Sequence, residues 1–182
     1  ISSEAGLKQR EGSSAVSVGD YNNDGFPDLF IASLVPGNSA MWLNQGDGTF
    51  QEDLTSEEVL ASLASLKVHD AEFFDFDNDG YLDLLAVGEA TREGGSGAIL
   101  THADGNGKLW LSPGILPADL NSGHKITFFD YNNDGDLDLG ITGLRGDIRL
   151  LRNDGGNNHH FIKMKLVGLR AGSAKNNYYG IG

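Results

Sequence analysis

The apolar residues of this chain fall into short runs separated by clusters of Asp, Asn and Gly, a spacing that predicts strands rather than helices. Segments 14–18, 70–74 and 125–129 read as strands, and so do 29–33, 84–87 and 139–142. Each pair is joined by the same kind of polar stretch: Asp20-Tyr-Asn-Asn-Asp-Gly-Phe-Pro-Asp28, Asp75-Phe-Asp-Asn-Asp-Gly-Tyr-Leu-Asp83 and Asp130-Tyr-Asn-Asn-Asp-Gly-Asp-Leu-Asp138. These loops begin 55 residues apart both times. A second apolar segment with a Gly-rich turn follows at 41–50, at 99–110 and, shorter, at 148–156. Four short strands in a unit of about 55 residues are the size of a β-propeller blade. The expected fold is therefore all-β, with three four-stranded blades. One helix interrupts the pattern: Thr55-Ser-Glu-Glu58 has the form of a capping box ahead of Val59, Leu60, Leu63 and Leu66, which predicts a short helix over 56–65. Stretches 88–97 and 113–123 read as irregular connections.

The repeated loop carries the candidate chemistry. In Asp-x-(Asp/Asn)-x-Asp-Gly-x-x-Asp, side-chain oxygens at positions 1, 3, 5 and 9 and a carbonyl at position 7 can converge on one centre if Gly at position 6 turns the chain sharply. The candidate side-chain ligands are Asp20, Asn22, Asp24 and Asp28; Asp75, Asp77, Asp79 and Asp83; and Asp130, Asn132, Asp134 and Asp138, with carbonyls from Phe26, Tyr81 and Asp136. A ring of hard oxygen donors suits Ca²⁺ far better than zinc or copper, and about three Ca²⁺ ions per chain are expected. The second loop, with four carboxylates against three elsewhere, should bind best. An EF-hand begins similarly but requires Glu at position 12 and flanking helices; position 12 here is Ile31, Ala86 or Ile141, and the flanks are strand-like.

Charge and composition narrow the function further. The 182 residues hold 26 Asp plus Glu against 13 Lys plus Arg, a net charge of −13, which disfavours nucleic acid and anionic membrane surfaces and favours cations. There is no Cys, so disulfides and thiolate chemistry are excluded, and no apolar run is long enough to span a membrane. The sequence has no nucleophile elbow, P-loop, dinucleotide fingerprint or His-Glu-x-x-His site; Gly94-Gly-Ser-Gly-Ala98 lacks the strand-to-helix context of an elbow. The expectation is a non-enzyme.

The loops, together with Glu4-Ala-Gly-Leu7 and the Asn-x-Gly-Asp-Gly-Thr-Phe turn at 44–50, resemble the FG-GAP/VCBS repeats of integrin-like β-propellers, over roughly residues 5–156. They look most like the ASPIC/UnbV, or cartilage acidic protein-like, group. Residues 157–182, from Asn158-His-His-Phe-Ile-Lys-Met-Lys-Leu-Val-Gly168 to Gly180-Ile-Gly182, resemble the start of the ASPIC/UnbV module. The resemblance divides the chain at 1–156 and 157–182. It implies a calcium-stabilised scaffold outside the cell, at its surface or in the periplasm, that contacts a protein or a glycan. A carbohydrate-binding lectin is the alternative, and a propeller-based hydrolase a third. Three blades cannot close a propeller that in this family commonly has about seven. Ile1 and Gly182 fall inside family motifs, so further blades are expected from the same longer chain or from other subunits.

Several residues stand outside this scheme. His69 and His124 share one position, six residues before their loops, where the first repeat has Ser14; a strand-end hydrogen bond is expected for them, with lining of a common face as the alternative. His159-His160 could ligate a transition metal. Arg145-Gly-Asp147 matches an adhesive tripeptide and falls in an expected hairpin turn. Trp42, Trp110 and the pairs Phe73-Phe74 and Phe128-Phe129 are expected core fillers.

Overall fold

The computed structural model describes residues 4–154, and the expected second module at 157–182 lies outside them. Three antiparallel meanders follow one another along the chain. The first sheet runs β1 (Ser13–Gly19), β2 (Asp28–Ser33), β3 (Ala40–Asn44) and β4 (Phe50–Asp53); the second runs β5 (Leu66–Phe74), β6 (Asp83–Ala90), β7 (Ala98–Ala103) and β8 (Leu109–Leu111). In the third, β9 (Lys125–Phe129), β10 (Asp138–Thr142) and β11 (Ile148–Leu151) repeat the order as three strands. A fourth strand expected there would begin beyond the described residues. The molecule is thus all-β, built of propeller-type blades, and the first strands of successive sheets adjoin, β1 against β5 and β5 against β9.

The run Leu84-Leu85-Ala86-Val87 shows why the sheets stack. Successive side chains of a strand point to opposite faces, and here both faces are covered. Leu84 and Ala86 enter one core with Phe30, Met41, Leu66 and Val68, while Leu85 and Val87 enter a second with Phe74, Leu100, Leu139 and Ile141. The second sheet is the filling between the other two. Leu116 and Leu120 of the irregular segment after β8 also pack into the second core.

A single helix, α1 (Glu57–Leu63), joins the first two sheets, burying Val59 and Leu63. The expected capping box does not form. Ser56, not Thr55, occupies the N-cap and makes no side-chain cap; its hydroxyl accepts the buried Leu109 N–H at 2.9 Å, while the Thr55 N–H and hydroxyl bond Asp53. Tertiary demand for an acceptor at β8 outweighs local capping. Leu66, at helical spacing from Val59 and Leu63 but past the expected helix, begins β5, and β6 continues to Ala90 through part of the expected loop.

The aromatic residues divide. Trp42 and Phe74 are core, but Trp110 is 40% exposed beneath the Lys108 ammonium, 3.9 Å from its ring centre, and Phe129 is 41% exposed. Among the described residues β8 has no further strand beside it, and it is only three residues long, so Trp110 lies at the sheet edge rather than between sheets. Arg145, Gly146 and Asp147 form the exposed turn between β10 and β11.

Candidate metal centres

Each loop leaves the first strand of its sheet and returns as the second, and all three adopt one conformation. Position 4 is left-handed in every copy, with φ of 59° at Asn23, 57° at Asn78 and 64° at Asn133. Asn tolerates this region because its short amide bonds locally. Position 6 follows at φ 91° in Gly25 and Gly80 and 95° in Gly135, where a side chain would be strained. These two positive-φ residues fold the loop back on itself so that its first and last carboxylates approach.

Backbone N–H groups hold the carboxylates. Asp75 accepts Asp79 N–H at 3.1 Å through Oδ1 and Gly80 N–H at 2.9 Å through Oδ2; Asp20 does the same with Asp24 at 3.0 Å and Gly25 at 2.8 Å. Asp130 accepts Gly135 N–H at 3.3 Å. At position 3, Asn22, Asp77 and Asn132 each accept the N–H of position 5. The position-5 carboxylates of Asp24, Asp79 and Asp134 accept the N–H of position 7, at 2.8, 2.8 and 3.0 Å.

Position 9 does more than its spacing suggested. Asp28, Asp83 and Asp138 are essentially fully buried at the first residues of β2, β6 and β10. Through Oδ1 they accept Asn44 N–H, Ala103 N–H and Asn153 N–H at 2.8, 2.8 and 2.9 Å, which locks the third strand of each sheet to the second. Through Oδ2, Asp83 accepts Phe76 N–H and Asp138 accepts Tyr131 N–H, both at 3.0 Å. Asp28 Oδ2 is different: it is buried, and the equivalent Tyr21 N–H lies outside ordinary hydrogen-bonding geometry for it.

The electrostatics fit a hard cation. Burial raises Asp83 to about 7 and Asp28 to about 6 against the pull of the N–H donors, and the neighbouring carboxylates Asp77 and Asp79, or Asp24 and Asp20, push the same way. One oxygen from each of Asp75, Asp77 and Asp83 lies within 4.8 Å of the others, the one such group of three or more acidic or imidazole residues among the described residues. The first and third loops have Asn at position 3, so their charge density is lower. Asp79 stands outside the triad, turned to Tyr81 N–H. An all-oxygen triad of repelling carboxylates, with Asp83 buried and Asp75 and Asp77 partly so, matches the preferences of Ca²⁺ or Mg²⁺ and not those of a thiol- or imidazole-seeking metal.

Two further features were not legible in the loop spacing. The aromatic residue at position 7 packs on a glycine of the next Gly-rich turn in the same sheet: a Cβ on Gly105 would stand 2.3 Å from the Tyr81 ring, and one on Gly46 2.7 Å from Phe26. The second and third loops are also joined directly, by Asn78 Nδ2 donating to Asp136 Oδ1 at 2.7 Å, and the second loop is tied to the segment after β11 by Asn153 Nδ2 donating to the Phe76 carbonyl at 2.7 Å. The repeat made two shared Gly-rich turns visible, but only the packing shows that loop and turn form one unit.

Comparison with protein families accounts for the arrangement. The FG-GAP-like repeat matches residues 20–86 and again 75–141, each match starting at position 1 of one loop and ending in the second strand of the following sheet. The overlap of the two matches is the second loop with the start of β6, so the repeat unit is the loop-and-meander described above. Matched in this way over more than half its length, the chain belongs to the FG-GAP-like repeat family.

Proposed function

We propose that the chain is part of a calcium-stabilised β-propeller scaffold of the ASPIC/UnbV group, working outside the cell, at its surface or in the periplasm, through contacts with a protein or glycan rather than through a reaction. The observation that carries this is the Asp75, Asp77 and Asp83 triad, set in a loop whose conformation recurs in all three sheets. A Ca²⁺ ion at each loop would be held by the residues named above, about three ions per chain. It would neutralise carboxylates that otherwise repel, and so fix the start of each second strand, where position 9 also grips the third. Calcium is abundant outside cells, so modest affinity, of the order of 10⁻⁴ to 10⁻³ M, is sufficient there. Family membership supports the scaffold role, and no reaction is assigned. Further blades, from the same longer chain or from other subunits, complete the ring.

Thermal unfolding in excess calcium and in a chelator, with metal counted on the same sample, tests the reading. An upward shift with about three calcium ions per chain is the expected result. No shift and no metal would reduce the loops to turns and remove the extracellular assignment with them.

A further inference from the structure

Of the strand-end hydrogen bonds expected from sequence, His124 makes one through its backbone N–H, but among the described residues neither the His69 nor the His124 imidazole is held by one. In β1 and β5 the register against the next strand slips by one residue, between Ser13 and Ala15 and between Val68 and Asp70, so Ser14 and His69 are the extra residues of equivalent β-bulges. A bulge leaves its residue out of the ladder and re-aims its side chain. His124, just ahead of β9, is held by its own N–H to the Thr142 carbonyl at 2.7 Å; Gly123 N–H bonds the Gly88 carbonyl at 3.0 Å, and Ser122 bridges to Glu89. This lays the segment across the far end of β6, the strand that faces the His69 bulge.

The two imidazole rings therefore meet, with centroids 5.3 Å apart and planes inclined at 45°. Neither ring makes a hydrogen bond or ion pair with another described residue. His69 is half-buried and His124 exposed, so the pair can be reached from solvent. Two imidazoles on one tetrahedral Zn²⁺ ion, bound at about 2.0–2.1 Å, place their ring centres about 5 Å apart. The observed separation agrees with that requirement.

We propose that His69 and His124 form a binding site for a late first-row transition-metal ion, with Zn²⁺ the leading case, whose remaining coordination is completed by water. Neutral imidazole is the ligand form. Burial, then the neighbouring His124 and Lys67, hold His69 below the ordinary imidazole range, with Glu89 opposing. Imidazole prefers such metals to Ca²⁺, so this pair and the oxygen-lined loops select different ions, and the inference does not depend on the calcium reading.

The test titrates Zn²⁺ by calorimetry into the full 182-residue chain carrying His159→Gln and His160→Gln, in millimolar Ca²⁺ to saturate the carboxylate loops. One Zn²⁺ per chain is expected, weakened by more than about tenfold when either His69→Gln or His124→Gln is added. In the chain without substitutions, the side-chain NMR signals of His69 and His124 should move together as zinc is added, which keeps the test independent of how the variants fold. Zinc uptake that survives both substitutions, or that moves only other histidine rings, overturns the proposal.

Discussion

Position 3 of the loop is the residue at which the second copy departs from the others, Asp77 standing where Asn22 and Asn132 stand. Asp77→Asn keeps an oxygen to accept Asp79 N–H but removes one charge from the 4.8 Å triad. Calcium affinity at that loop should fall by about tenfold, since charge count tunes such sites. The metal-free chain should become more stable, because two carboxylates about 4 Å apart repel by up to about 4 kcal/mol at an effective dielectric of 20. A calcium titration and thermal unfolding in chelator read the two effects, and a lower metal-free Tm would mean that the Asp77 hydrogen bond outweighs the repulsion. Gly105 makes the other residue-scale case: at φ 71°, with the Tyr81 ring where a Cβ would go, Gly105→Ala should cost about 1–3 kcal/mol in urea unfolding. The loop's recurring oxygen donors and its turning glycine were legible because both are fixed inside nine consecutive residues. The Tyr81–Gly105 contact was not, because it joins residues separated by two strands.

At the scale of the element, β6 decides how the molecule is held together, since its alternate side chains feed two cores. Leu85→Ala should cost about 2–5 kcal/mol by equilibrium denaturation, with a cavity left in the core shared with the third sheet. Leu150→Ala, on the half-exposed side of β11, should change stability by no more than about 0.5 kcal/mol. The same contrast explains which elements could be read from sequence. Strands β2, β6 and β10 were visible because their apolar runs directly follow a loop with unmistakable punctuation. The start of β5 was not, because Leu66 continues the helical spacing of Val59 and Leu63 and only packing assigns it to the sheet. Thr55 likewise fits a local capping box, yet Ser56 takes the N-cap and its hydroxyl goes to β8, a partner 53 residues away that no local window contains.

Across the whole molecule, the aromatic residue at position 2 reports how each sheet depends on the next. Tyr21 is fully buried, stacked on Phe73 of the second sheet at 5.8 Å and donating its hydroxyl to Asp53 at 2.6 Å; Phe76 is partly buried against the core shared with the third sheet; Tyr131 is 44% exposed. Outward faces tell the same story, with Val16 and Val18 exposed on the first sheet and Ile148 and Leu150 on the third. Sheets of this kind finish one another's cores, so stability is a property of neighbours, as in other repeat folds. The loops share in that coupling through the Asn78 to Asp136 bond. Asn78→Gly isolates it, because glycine keeps the left-handed backbone at φ 57° without strain and removes only the side chain. The loss should be about 0.5–1.5 kcal/mol, the net worth of one such hydrogen bond. It should fall on the second and third sheets: hydrogen exchange in β9 and β10 should quicken while β2 and β3 keep their protection. Uniform acceleration through all three sheets would instead mean that the described unit opens as one body, and that the inter-loop bond carries no local coupling of its own.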